Sequence, residues 1–186
     1  MTTNTQIKLA RRPVGEPQGS DFEISTATVP EPGEGQVLIK VLYLSLDPAM
    51  RGWMNEGKSY VPPVQIGEVM RALGAGRVVA SRHPDFAVGD HVTGTTGVQE
   101  YAVLDGSELT KVDPSVAPLP TFLHVLGMTG MTAYFGLLEV GQPKAGETVV
   151  VSGAAGAVGT VVGQIAKLKG CRVVGIAGGK EKCDFL

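Results

Sequence analysis

The stretch VVVSGAAGAVGTVVGQIAKLKGCRVVGIAGGKEK, from Val149 to Lys182, decides how this chain is to be read. It opens with a compact apolar run, TVVVSG, that has the length and β-branched content of a buried strand. AVGTVVGQIAKLKG then carries Val158, Val161, Val162, Ile165 and Ala166 on one helical face, with Gly170 as the stop. CRVVGIAG returns to strand character, so Thr148–Gly178 reads as one strand–helix–strand unit. Parallel strands need such a crossover, and it is nearly always right-handed. The turn between first strand and helix is rich in glycine, which lets a helix N-terminus offer bare N–H groups to a pyrophosphate. The G-x-G-x-x-G spacing falls on Ala154, Gly156 and Gly159, with alanine in the first place. Gly156 would let phosphates approach the backbone, and Gly159 would let the helix sit close to the strand. The motif alone is weak, but a strand before it and a helix after it are the context that supports it. The competing reading is tight helix–sheet packing without a ligand.

The end of the second strand narrows the ligand. A site preferring NAD places Asp or Glu there to bond the ribose 2′-OH. This chain has Ala177, Gly178 and Gly179, then Lys180 and Lys182. Without the acid there is room for a 2′-phosphate, and a lysine meets it as a point charge. NADP is therefore expected over NAD, with Lys182 at the 2′-phosphate. The bland alternative makes both lysines solvated residues at the start of a helix.

Upstream, residues 1 to about 120 read as β-structure. QVLIKVLYLSL (Gln36–Leu46), GAGRVVAS (Gly74–Ser81), the Val92 strand after a Gly89-Asp90 turn, and VQEYAVL (Val98–Leu104) are short strands separated by turn residues. Such spacing predicts a barrel or sandwich. From Phe122 to Glu139 the apolar residues Leu123, Leu126, Met131, Tyr134, Phe135 and Leu138 recur at helical spacing and predict one helix.

Composition excludes several classes. With 43% hydrophobic and 18% charged residues the 186-residue chain can bury a core, and a net charge of −2 gives nucleic acid no basic face. No window approaches a membrane span, and the polar N-terminus lacks a signal-peptide core. Cys171 and Cys183 lack metal-site spacing and are expected as free thiols in a cytoplasmic protein. His83, His91 and His124 do not assemble a zinc site, so no metal is expected. No G-x-S-x-G elbow supports hydrolysis.

LSLDPAMRGWM (Leu44–Met54), VQEYAVL, GMTGMTAYFGL (Gly127–Leu137), the AAGAVG turn and GIAGGKEKC together resemble the zinc-independent medium-chain dehydrogenases/reductases, in the group of prostaglandin and curcumin-type reductases. Zinc-dependent relatives carry a ligand cysteine where this chain has Ser45-Leu46-Asp47, and a cysteine-rich lobe that is absent here. The resemblance implies an α/β-plus-β fold: a GroES-like β-barrel substrate domain over residues 1–122, then a Rossmann-type nucleotide-binding domain begun over residues 123–186. It implies NADPH-dependent reduction of the C=C bond of α,β-unsaturated ketones or aldehydes, by hydride transfer to the β-carbon. Charge developing on the carbonyl oxygen then needs hydrogen-bond donors, and a proton must reach the α-carbon.

By the same residue-wise match, Tyr60 is the candidate donor, against the alternative of an ordinary loop aromatic. Gly156, Ala157, Val158 and Gly159 would hold the pyrophosphate, Gly178 and Lys182 the 2′-phosphate end, and Met128 and Thr132 would border the nicotinamide. Thr129 stands where relatives usually have proline, and Val98 where tryptophan is common. Asp47 and Arg51 also match, and are expected as an ion pair that fixes their loop. The resemblance further implies a longer parent whose sheet has six strands, commonly a homodimer, and little activity for these 186 residues alone. The rival readings are a quinone reductase of the same superfamily and a non-catalytic GroES-like scaffold.

Overall fold

The computed structural model describes residues 2–186. The chain divides into two compact units, one running to Pro120 and the other from Thr121.

In the first unit, β1 (Thr3–Leu9) and β2 (Phe22–Thr28) form an antiparallel hairpin in register Thr3↔Thr28 to Leu9↔Phe22. Then β3 (Gln36–Leu44) leads into the short helix α1 (Ala49–Trp53). After a long loop come β4 (Gly74–Ser81), β5 (His91–Gly94), β6 (Tyr101–Asp105) and β7 (Thr110–Val112). The last five strands make one antiparallel sheet in the order β6-β3-β4-β5-β7. Gly76 in β4 is required by close approach: a Cβ there would lie 2.4 Å from the Lys40 carbonyl oxygen.

Alternation along the strands fills two cores. Val37, Ile39, Val78, Phe86 and Val92 form one, while Leu9, Met54, Val64 and Met70 form the other. Each fully buried aliphatic side chain contributes about 1.5–3 kcal/mol by burial.

The hairpin is absent from the expectations above, and its composition explains why. TNTQIKL is mostly polar, and its buried positions are Asn4 and Leu9. Asn4 is buried because its amide substitutes for sheet pairing. Its Nδ2 donates to the Tyr101 carbonyl at 2.9 Å and to Gln99 Oε1 at 3.2 Å, and its Oδ1 accepts the Tyr101 N–H at 2.9 Å. Below the hairpin, Asp21 accepts the Gln18 N–H at 2.7 Å and pairs with Arg11 at 2.6 Å. These bonds, the backbone one first, hold its carboxyl below the usual range.

In the second unit the expected helix over Phe122–Glu139 is broken. A 3-10 turn spans Leu119–Leu123, α2 runs only over Met128–Phe135, and a wider π turn continues over Gly136–Gly141. The break is at Gly127, where a Cβ would lie 2.3 Å from the Phe122 carbonyl oxygen, and the chain folds back before α2 starts. Gly130, Ala133 and Leu137 are buried, while Met131 and Tyr134 are about half exposed. Small residues let α2 pack on α3, and Gly130 is so close to Val125 that no methyl fits.

The strand–helix–strand unit is as anticipated. β8 (Thr148–Ser152) pairs in parallel with β9 (Arg172–Ile176), with α3 (Ala157–Leu168) between them in sequence. Gly170, at φ +79°, turns the chain out of α3, and α4 (Lys180–Phe185) follows β9. Leu137, Ala166 and Cys171 centre the core, with Val149, Val162, Ile165 and Val173 packed on it. Both cysteines are free, Cys171 buried and Cys183 exposed. Among the described residues no helix is long and apolar enough to cross a membrane.

Candidate nucleotide and substrate sites

The turn from β8 into α3 is built from three glycines and an alanine with separate tasks. Gly153 takes the left-handed conformation, φ +61°, that reverses the chain. Ala154, in the first fingerprint place, is 3% exposed and donates its N–H to the Ile176 carbonyl at 3.0 Å. It needs no positive φ, and its methyl lies over Gly175 in β9, where a second Cβ would come within 2.9 Å. Alanine is therefore accommodated because β9 offers a glycine opposite it.

Gly159 and Gly156 differ in what surrounds them. A Cβ on Gly159 would meet the Gly153 carbonyl oxygen at 2.4 Å and Ala154 Cα at 2.8 Å. Gly159 is thus a packing glycine that brings α3 against the turn. A Cβ on Gly156 would meet only the Gly153 oxygen, at 3.1 Å, and otherwise faces open space. No neighbour in the fold forces glycine at that place.

Gly156 is also the N-cap of α3 and, having no side chain, leaves the cap unfilled. Among the described residues the N–H groups of Ala157, Val158 and Gly159 find no protein acceptor, and Thr160 is the first to bond back, to Gly156 O at 3.0 Å. The helix end is therefore an uncapped set of donors at the positive pole of a helix dipole, a setting that accepts an anion.

At the far end of β9, Gly178 and Gly179 are exposed and Gly179 has φ +82°. Lys180 and Lys182 lie on α4, and both are exposed. Lys180 is tied to Asp184 at 2.5 Å, one turn on. Lys182 has no ion-pair partner among the described residues. No carboxylate stands between Ile176 and Lys180. On α2, Met128 and Thr132 are a turn apart and exposed, and the Thr132 hydroxyl donates to the Met128 carbonyl at 2.7 Å. Thr129 turns its hydroxyl to the His124 carbonyl at 2.8 Å.

In the first unit Tyr60 is 81% exposed, in the loop Asn55–Pro63 that follows α1. The loop leaves and re-enters the fold at one place, where the Val64 N–H bonds the Trp53 carbonyl at 2.8 Å. The expected Asp47–Arg51 ion pair does not form. Arg51 reaches the other way, to the carbonyls of Pro13 and Gly15 and to Asn55 Oδ1 at 2.6 Å. Asp47 keeps a buried oxygen without a hydrogen bond. Arg51 does fix a loop, but through backbone acceptors brought from the N-terminal segment, which sequence spacing did not reveal.

Two more arginines at this loop carry no sequence signal, because their partners are distant in the chain. Arg12 donates from Nη1 to the carbonyls of Met54, at 2.7 Å, and Val64, at 2.9 Å, and from Nε to Glu56 at 3.0 Å. Arg71 bonds the Pro62 carbonyl at 2.9 Å and lies over the Trp53 ring at 5.4 Å. Among the described residues no group of three His, Cys, Asp or Glu side chains is placed to hold a metal ion. His83 instead packs edge-on against Phe86 at 5.2 Å, and its Nδ1 accepts the Asp85 N–H at 3.1 Å.

Residues 5–112 match the family described as the N-terminal domain of oxidoreductase. Over 97% of its length the chain is 55% identical to a putative NADP-dependent oxidoreductase of Bacillus subtilis, and covers 53% of that protein. It is 53% identical to the NADPH-dependent curcumin reductase of Escherichia coli, again over 97% of this chain and 52% of the relative. Among solved structures, the complex of CurA with NADPH from Vibrio vulnificus superposes with a TM-score of 0.90 at 52% identity, over 97% of this chain and 54% of that one. The chain thus spans about half the length of the curated relatives it matches.

Proposed function

Because this chain belongs to the zinc-independent medium-chain dehydrogenases/reductases, we propose that it serves NADPH-dependent reduction of the C=C bond of α,β-unsaturated ketones and aldehydes. One observation carries the cofactor half of this reading. The uncapped N–H groups of Ala157, Val158 and Gly159 stand beside Gly156, whose missing side chain no protein neighbour requires. That pairing fits a pyrophosphate drawn close to the backbone. Gly178 leaves the ribose edge open, and Lys182 meets the 2′-phosphate while Lys180 is held by Asp184. Met128 and Thr132 border the nicotinamide, which supplies the hydride when bound.

The chain's remaining task is the substrate. As the β-carbon is reduced, charge moves onto the carbonyl oxygen, and a donor aimed at it stabilises the transition state. The Tyr60 hydroxyl, exposed on its loop, takes that role. We take residues 1–122 as the substrate domain and residues 123–186 as the opening part of the nucleotide domain. The resemblance makes the full-length parent a homodimer, and the composition and unpaired cysteines suit the cytoplasm.

Calorimetric titration of the chain with 2′,5′-ADP and with 5′-ADP tests the cofactor reading. Tighter binding of the 2′-phosphorylated ligand is expected, by about tenfold for one charge-assisted contact. Lys182→Ala should erase that difference, and equal affinities in the unmodified chain would refute the preference. For the reaction, NADPH oxidation with a 2-alkenal by the full-length parent is the assay. Tyr60→Phe should lower kcat on the order of 10²-fold, and an unchanged rate would remove Tyr60 from the mechanism.

A further inference from the structure

We propose that Arg12 is a positioning residue for the Tyr60 loop: by gripping the carbonyls on both sides of the loop's base, it sets how the Tyr60 hydroxyl is presented. The inference rests on Tyr60 being the donor, but its structural half stands independently. The loop's residues from Asn55 to Tyr60 are exposed, and Gly57 has φ +146°. Little packing inside the loop restrains it, so its order must come from its base.

There the structure concentrates unusual bonding. Val64 and Met54 are buried at 2% and 5% exposure, and the Val64 N–H closes the base on Trp53. One guanidinium nitrogen of Arg12 then holds both Met54 O and Val64 O, while its Nε holds Glu56 at the loop's start. Arg12 is only 19% exposed, so these bonds are made largely out of water, where a charged donor counts for more. Arg51 holds Asn55 at the loop's start, and Arg71 bonds Pro62 while its guanidinium lies over the Trp53 ring. Of the three arginines, Arg12 is the one that hydrogen-bonds a carbonyl at each end. The guanidinium supplies both N–H bonds of that one nitrogen and a third from Nε, with a charge and a reach that a neutral, shorter amide lacks. The arginine lies in the segment after β1, so the N-terminal hairpin and the loop are mechanically linked through it.

The test uses the 186-residue chain and limited trypsin digestion. Lys58 lies within the loop, and Lys40 in β3 and Arg77 in β4 report global opening. In Arg12→Gln, cleavage after Lys58 is expected to accelerate by about tenfold or more, with cleavage after Lys40 and Arg77 unchanged. Arg12→Lys should restore part of the protection, because an ammonium keeps the charge and several N–H donors but loses the separate Nε bond to Glu56. Glu56→Gln, which leaves both carbonyl bonds, should change the rate by less than about twofold. The single tryptophan, Trp53, gives a second reading. Its buried Nε1 lacks a protein partner, so an opened base admits water and red-shifts its emission in Arg12→Gln.

Unchanged cleavage after Lys58 would overturn the proposal. So would acceleration at all three sites together, which would make Arg12 a general stabiliser. An unaffected Tyr60→Phe reaction would remove the donor role while leaving the clamp standing, so the two failures are distinguishable.

Discussion

Three alanine substitutions along one face-turning segment should give three different outcomes, and the signs follow from distances. In α3 an alanine in place of glycine gains up to about 1 kcal/mol of helix propensity. At Gly163 the new Cβ would meet Val173 Cγ1 at 3.7 Å, an ordinary contact, so Gly163→Ala should stabilise by about 0.5–1 kcal/mol. At Gly159 the new Cβ meets backbone at 2.4 and 2.8 Å, and neither atom is the tip of a flexible side chain. To restore a contact of 3.4 Å, α3 must retreat from Gly153 by 3.4 − 2.4, about 1 Å, or the turn must deform. Overpacking of this kind costs about 1–3 kcal/mol, enough to outweigh the propensity gain. Gly159→Ala should therefore be net destabilising, by about 1–2 kcal/mol. At Gly156 the single 3.1 Å contact and the poorer N-capping of alanine predict a loss of stability below about 1 kcal/mol, with the larger loss in nucleotide binding. Urea midpoints read the stability of all three variants, and titration with 2′,5′-ADP reads binding. A Gly159→Ala chain as stable as Gly163→Ala would refute the packing role. A Gly156→Ala chain that binds undiminished would refute the phosphate cradle.

Three further outcomes follow from other contacts. Gly130→Ala should destabilise more than Gly159→Ala, since its Cβ would overlap the Val125 carbonyl, and circular dichroism melting would report it. The Asp21 carboxyl is held below its ordinary value of 3.8, so it contributes stability above that pH and loses it as pH falls through the folded value. The gap in urea midpoint between the native chain and Asp21→Asn should thus be present at neutral pH and shrink below about pH 4. Iodoacetamide should add one label to the folded chain, at exposed Cys183, and a second only after denaturation frees Cys171, whose Sγ is 3.4 Å from the Lys144 carbonyl.

The part of the fold that was legible in advance was the part whose interactions are local. Gly153 to Gly170 encodes its own turn, helix and stop within eighteen positions of chain, and the glycines that turn the chain at either end, Gly153 and Gly170, have positive φ. The β1–β2 hairpin was not legible, because its buried partner is Asn4 and what satisfies Asn4 lies at Gln99 and Tyr101. Helical periodicity around Met131 and Tyr134 predicted one unbroken helix, whereas the chain turns at Gly127 and α2 buries the glycine and alanine beside them. Periodicity counts hydrophobicity and does not see how closely two helices approach. In the loop after α1, Tyr60 was picked out by likeness alone. The arginines at its base were invisible, since each meets carbonyls, which every residue has.

The Asn4 bridge also sets an order of events during synthesis. Its amide cannot be satisfied until Tyr101 is available, a separation of 97 positions. At about 5–20 residues per second of translation, that is a wait of roughly 5–20 s. For that interval the Asn4 end of β1 is unsealed, while its Leu9 end can already bond Glu68 and Met70. The N-terminal segment, made first, is therefore among the last to lock, and a chaperone that holds nascent chains has its longest opportunity there.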